Sequence, residues 1–253
     1  VAATGTPIVL VLLAGRPIGS PAVHEAASAV LMAWLPGEQG GDAIADALVG
    51  ATNPGGKLPV SYPRSSGQIP IFHAHKVSGG RSHWKGPYVD ESNEPLYPFG
   101  HGLSYSTFEI ASGVVSPTTI VGVGETVDVP VVVTNTGDRR GDEVVQLYGR
   151  DPVSTITRPV RELIGFRRLT LDPGESVTVT FHVPVGALGA SGVDLSYVVE
   201  PGEFEFRVGA SATDTVPAGT VVVVGDTPIE TVRVGSSSTS VAPAGPPIQV
   251  ARS

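Results

Sequence analysis

The densest chemistry in the chain lies between residues 73 and 85, where His73, His75, Lys76, Arg81, His83, Trp84 and Lys85 crowd together. Arginine, lysine and histidine donate hydrogen bonds to hydroxyls. A tryptophan offers an apolar face to a pyranose ring and an N–H to one of its hydroxyls. His73, Lys76, Arg81, His83, Trp84 and Lys85 are therefore candidate substrate-binding residues, and the ligand they suit is a sugar. His73 and His75 could ligate a metal, but no third ligand stands at a convincing spacing. A solvated loop is the competing reading. Nothing in the residue pattern calls for a metal or a cofactor.

The carboxylates nearest this stretch are Asp90, Glu91 and Glu94. Asp90 and Glu91 are adjacent and diverge on an extended chain, so they read as structural or solvated, and no catalytic residue is assigned. The glycines of residues 36–41 invite comparison with a phosphate loop. They lack the G-x-G-x-x-G spacing and a following Lys-Ser/Thr. They read as a turn that lets a helix pack close to a sheet.

Elements must hold these residues in place. Residues 8–14, Ile-Val-Leu-Val-Leu-Leu-Ala, form a wholly apolar strand, and residues 29–34 form a second, parallel to it. Between them Ser20 stands as N-cap and Pro21 at the first position of a short helix. An amphipathic run follows the glycine turn, with Ile44, Leu48 and Val49 on one face and Gly50 at the helix C′ position. Residues 51–63 read as a tight turn feeding another short strand. Residues 64–100 are irregular and polar, with Trp84, Tyr88, Tyr97 and Phe99 as anchors.

From residue 109 the period changes to two. Residues 127–134 are a strand, with residues 143–148 as the expected hairpin partner. Asp138-Arg139-Arg140 reads as a solvated turn between them. Further strands follow at residues 161–169, 176–183, 203–209 and 220–224, and Asp172-Pro173-Gly174-Glu175 is a turn with Gly174 at positive φ. Short alternating strands at regular spacing describe a β-sandwich. Beyond residue 226 the Ser/Thr and Pro/Gly content is that of a tail. The expected organisation is an incomplete parallel α/β layer at 1–72, a long loop at 73–108, an all-β sandwich at 109–226 and a low-complexity tail at 227–253.

Composition sets the bounds. The 253 residues are 41% hydrophobic and 16% charged, with 32 Gly and 23 Pro, which suits a strand- and loop-rich globular chain. A net charge of −8 argues against nucleic acid. The chain has no Cys, which excludes disulfides and thiol chemistry but leaves the compartment open. No apolar run approaches the roughly 20 residues of a membrane helix, and no membrane partner is expected. A homo-oligomer is compatible with the sequence. The naked first strand leads to the expectation that the chain begins within a domain.

Four ordered motifs carry a family resemblance. They are Ala33-Trp34-Leu35-Pro36-Gly37-Glu38-Gln39-Gly40-Gly41, Asn53-Pro54-Gly55-Gly56-Lys57-Leu58-Pro59, Tyr97-Pro98-Phe99-Gly100-His101-Gly102-Leu103-Ser104-Tyr105, and Arg158-Pro159-Val160-Arg161-Glu162-Leu163-Ile164-Gly165-Phe166. Together they resemble glycoside hydrolase family 3, the β-glucosidase and β-xylosidase family. Residues 75–90 further resemble one bacterial branch of its three-domain members. The order Glu38-Gln39 departs from the family's usual reversed pair, a small change because the glycines carry the turn. The resemblance implies the end of an α/β sandwich domain followed by an immunoglobulin-like, fibronectin type III-like β-sandwich. It implies a retaining exo-acting β-glycosidase whose nucleophile lies in a β/α barrel and whose acid/base lies on a loop before the first strand here. Both would stand outside this chain, which alone is expected to be inactive. A retaining glycosidase needs two carboxyl groups about 5–5.5 Å apart, and the chain offers no convincing pair. The alternative is a non-catalytic carbohydrate-binding or scaffold module.

Overall fold

Two short parallel strands open the chain in the computed structural model, which describes residues 1–76, 91–122, 124–235 and 237–244. Strand β1 (Val9–Leu12) pairs with β2 (Ala29–Met32) in register from Val9 opposite Ala29 to Leu12 opposite Met32. Helix α1 (Pro21–Glu25) lies between them, with Pro21 at its start and Ser20 in the N-cap position without a side-chain bond. Strand β2 stops short of Trp34, whose φ of 53° turns the chain out of the extended region. Helix α2 (Gly40–Leu48) follows the glycine turn. Gly50 closes it at φ 77°, its N–H donating to the Ala47 carbonyl at 3.1 Å.

The strand expected within residues 51–63 does not form as a sheet member. Pro59 and Pro63 lack the N–H donors that a continuous ladder needs. The segment instead makes broken antiparallel pairings with residues 96–101. Leu58 N–H donates to the His101 carbonyl, and Tyr62 N–H to the Tyr97 carbonyl, each at 2.8 Å. Aromatic rings fill the space behind. Tyr62 is 1% exposed, and its hydroxyl accepts from Ile18 N–H at 3.0 Å. His24 meets Tyr62 edge-on at 5.2 Å, and His101 stacks on Tyr97 at 5.1 Å.

The all-β part follows in chain order: β3 (Phe108–Ser112), β4 (Thr119–Ile120), β5 (Thr126–Asn135), β6 (Gly141–Arg150), β7 (Glu162–Leu171) and β8 (Ser176–Pro184). Then come β9 (Ala190–Ser191), β10 (Tyr197–Val199), β11 (Gly202–Gly209), β12 (Thr215–Val223), β13 (Ile229–Glu230) and β14 (Ser238–Pro243). One sheet runs β4-β12-β11-β6-β7 and the other β14-β8-β5-β3, with a small β13-β10-β9 sheet at the side. Period-two alternation puts Val127, Val129, Val131 and Val133 of β5 and Val179, Phe181 and Val183 of β8 into one core with Val145, Leu147, Phe206 and Val221. This is a β-sandwich behind a partial α/β layer, the fold class the sequence implies.

Two expectations change. Strands β5 and β6 are not a hairpin: β5 pairs with β3 and β8, and β6 with β7 and β11. The chain crosses from one sheet to the other between them. Buried Asn135 holds that crossing, donating to the Arg139 and Leu171 carbonyls at 2.7 and 3.0 Å. Its Oδ1 accepts from the Ser106 hydroxyl and Gly137 N–H. The Asp172–Glu175 turn, with Gly174 at φ 76°, carries the chain back across. The second change lies in the segment beyond residue 226, where β14 pairs antiparallel along β8 and covers its edge. His182 ties it there, Nδ1 donating to Asp128 Oδ1 at 2.6 Å and Nε2 meeting the Ser240 hydroxyl at 2.8 Å.

Candidate functional site

The motifs at residues 53–59 and 97–105 meet at the seam between the α/β part and the sandwich. Asn53 donates to the Arg140 carbonyl at 3.1 Å, and its Oδ1 accepts from the Ser104 hydroxyl and Tyr105 N–H. Lys57 donates to the Gly102 carbonyl at 2.7 Å and pairs with Glu143 at 2.9 Å. Gly55 packs so close to Asp142 that a Cβ there would sit 2.5 Å from the Asp142 Cβ. The turn Asp138-Arg139-Arg140 is exposed, as its residue types imply, and it also reaches this seam. Arg139 donates to the Gly50 carbonyl at 2.6 Å, and its guanidinium lies 5.5 Å over the Tyr105 ring. The Arg139 contacts were not legible in the sequence, because an exposed charged turn looks the same with or without a second surface beside it.

The outer face of β6 extends the seam toward residues 73–76. Gln146 and Tyr148 point away from the sandwich core yet are 3% and 1% exposed, because residues 99–100 and 210 cover them. The Tyr148 hydroxyl donates to Gln146 Oε1 at 2.5 Å, and burial pushes its phenol pKa up. Phe99 accepts at its carbonyl from Ala212 N–H at 2.9 Å. The His73 ring stacks on Phe99 at 4.1 Å and stands edge-on to Tyr148 at 6.0 Å. Burial, with the Arg161 guanidinium nearby, holds His73 below the usual imidazole range, so it is the neutral ring that packs here. Arg161 itself donates to the Ala212 carbonyl. A small cleft opens between these groups, walled by Phe72, His73, His75, Glu94, Phe99 and Arg161.

Of the candidate sugar-contacting residues, His73 is thus engaged in ring packing and Lys76 is exposed at the sandwich surface. Arg81, His83, Trp84 and Lys85 lie outside the described residues, as does Asp90. Glu91 accepts from the Ser65 hydroxyl at 2.8 Å, a structural use. Among the described residues no three His, Asp or Glu side chains gather as a metal site, and no helix is long and apolar enough to cross a membrane.

A further charged cluster lies within the sandwich. Arg158 donates to Glu162 at 3.0 Å and to the Leu188 carbonyl at 3.2 Å, and pairs with Asp151 at 3.5 Å. Burial pushes the Asp151 carboxyl up, and Arg158 opposes that shift.

Residues 1–105 match the family model of the glycosyl hydrolase family 3 C-terminal domain, and residues 143–212 match that of the fibronectin type III-like domain. The chain belongs to glycoside hydrolase family 3. As a member of family 3 it is 44% identical over 216 residues to the periplasmic beta-glucosidase of Salmonella typhimurium, covering 83% of this chain and 28% of that protein. It is 42% identical over 212 residues to a beta-xylosidase of Formosa agariphila, covering 83% of this chain and 29% of that protein. Among solved structures, the Listeria innocua beta-glucosidase in complex with glucose superposes with a TM-score of 0.83 at 38% identity, covering 88% of this chain and 32% of that one. The chain therefore spans less than a third of the family 3 relatives it matches.

Proposed function

We propose that this chain is the C-terminal portion of a retaining, exo-acting β-glycosidase that hydrolyses β-glucosides or related glycosides. The observation that carries the reading is the match of both halves of the chain, in order, to family 3 domain models, and of most of its length to a β-glucosidase and a β-xylosidase about three times as long. In this reading the nucleophile and the acid/base come from residues outside the chain, from a β/α barrel and the first half of the α/β sandwich. Four of the described carboxylates fit that division. Glu91, Glu143, Asp151 and Glu162 each hold a hydrogen bond or ion pair that locks the fold. The substrate is a β-glycoside, and this chain's share of its recognition falls to the segment that runs from His73 through Lys76, Arg81, His83 and Trp84 to Lys85. His73 anchors that segment through its ring contacts, and the others donate to sugar hydroxyls or stack on the ring.

Kinetics of the full-length protein on aryl β-glucosides and β-xylosides test the reading. Trp84→Ala should weaken kcat/KM by about 1–3 kcal/mol with little change in melting temperature. Unchanged kinetics with a lowered melting temperature would make Trp84 a packing residue and remove the segment from the binding site.

A further inference from the structure

The outer face of the β14-β8-β5-β3 sheet carries a serine, a histidine and an aspartate in one hydrogen-bonded row. Val127 and Val129 of β5 and Phe181 and Val183 of β8 turn into the core, so Asp128 and His182 between them stand on the outer face, directly opposite each other. Ser240 of β14 shares that face, on the diagonal from His182, whose direct partner is Ser238. Asp128 Oδ1 lies 2.6 Å from His182 Nδ1, and Ser240 Oγ lies 2.8 Å from His182 Nε2. An ionised carboxylate only accepts, so Nδ1 carries the ring proton. Nε2 of the neutral ring then keeps its lone pair, and the Ser240 hydroxyl donates to it. That is the bonding order of a nucleophile, its general base and the carboxylate that orients the base.

We infer that Ser240 and His182 form a second reactive site, a nucleophile and general base for acyl transfer from small esters, with Asp128 as the positioning residue. The inference is independent of the glycosidase reading. The sheet edge supplies a donor for the developing oxyanion. Ala244 N–H donates to the Ser176 carbonyl at 3.2 Å, so Ala242, Ser240 and Ser238 also turn their N–H groups toward β8. Val241 turns its N–H the other way, where no strand lies beyond β14 among the described residues. The amide next to the nucleophile therefore faces the side from which an ester reaches Ser240. The His182 and Asp128 side chains are 34% and 50% exposed and Ser240 is exposed, so the site suits a short acyl group such as acetyl. Ser240 Oγ attacks the ester carbonyl carbon while His182 Nε2 takes the hydroxyl proton. Collapse of the tetrahedral oxyanion breaks the ester C–O bond, and the departing alcohol takes that proton from Nε2. Water then attacks acyl-Ser240 by the same route, releasing the carboxylic acid and restoring the hydroxyl.

The same bonds tie β14 to β8, so the test must separate a reactive row from a tether. An alkyl fluorophosphonate does so, because a serine must act as a nucleophile to displace its fluoride. In the full-length protein, mass spectrometry of the digested adduct should place the label on Ser240. Hydrolysis of p-nitrophenyl acetate should fall by about 100-fold or more in Ser240→Ala, which leaves the Asp128–His182 pair in place. Asp128→Asn still offers Nδ1 an acceptor but no longer fixes the tautomer, and it should slow labelling of Ser240 by about 100-fold or more. It carries the test should Ser240→Ala fail to fold. Melting temperatures are measured alongside. No label on Ser240, ester hydrolysis equal in the unmodified protein and Ser240→Ala, or labelling unchanged in Asp128→Asn overturns the inference and leaves the row as a tether.

Discussion

Lys57 and Glu143 close an ion pair across the seam, Nζ to Oε1 at 2.9 Å, with their side chains only 10% and 6% exposed. One comes from the turn after α2 and the other from the start of β6. Removing one partner of such a pair strands the other charge in a place that water scarcely reaches, whereas removing both does not. Lys57→Met should therefore destabilise the chain by about 3 kcal/mol, and adding Glu143→Leu should recover most of the loss. Denaturant unfolding of the single and double variants checks this. Two losses that simply add would mean that the pair is not coupled.

The seam also explains two glycines differently. Gly100 stands at φ 80°, and a Cβ there would come within 2.1 Å of the Gln146 amide oxygen. That amide is itself fixed by Tyr148 and the Ala210 carbonyl. Gly174 has nearly the same backbone at φ 76° but nothing within 4 Å of the site of a Cβ. Gly174→Ala should cost about 1 kcal/mol for backbone strain alone, and Gly100→Ala at least about 2 kcal/mol for strain plus the displaced amide. Equal changes in melting temperature would show that the seam yields freely at Gln146.

These positions mark how far the sequence alone could be read. Local signals were legible because they are written in local chemistry: Gly50 ends α2, Gly174 makes its turn, and alternating Val and Phe define β5 and β8. Partnership was not legible. Alternation says that residues 127–134 and 143–148 are strands, but their separation into different sheets depends on Asn135, whose four bonds reach residues 106, 137, 139 and 171. The strand β14 hid behind a Ser- and Thr-rich composition because an edge strand needs little apolar surface. The segment at residues 51–63 looked like a strand by its residue types, and Pro59 and Pro63 broke its ladder.

Strand β14 gives a further expectation. A sandwich of residues 106–244 should fold alone, whereas residues 1–72 should not, since Val9, Leu13, Leu35 and Val49 lie exposed on the α/β part. Ending the sandwich at residue 226 should expose the edge of β8 and lower its melting temperature or drive association. Thermal melts with sedimentation of the two sandwich lengths decide it, and identical behaviour would make β14 dispensable.

His73 and His101 give the seam a pH dependence. Burial holds both below the ordinary imidazole value of 6.5, with Arg161 adding to the effect at His73 and Lys57 at His101. Glu162 opposes the shift at the first and Asp214 at the second, while His75 adds to the first. Just below pH 6.5 the unfolded chain therefore binds more protons than the folded one. Their contribution to stability is full above that pH and is lost as the pH falls through the depressed folded values. Melting temperature should drop between pH 7 and pH 5 (about the range in which an unperturbed imidazole titrates), and His73→Phe with His101→Phe should flatten the drop. A flat profile in the unmodified chain would contradict it.

The central claim is that this chain brings no catalytic pair of its own to a β-glycosidase. The most direct measurement is hydrolysis of an aryl β-glucoside by residues 1–253 alone, beside the longer protein that the proposed function calls for. The account predicts turnover by the longer protein and none above background by the chain. Turnover by the chain alone, abolished by Asp90→Asn or Glu91→Gln, would contradict it.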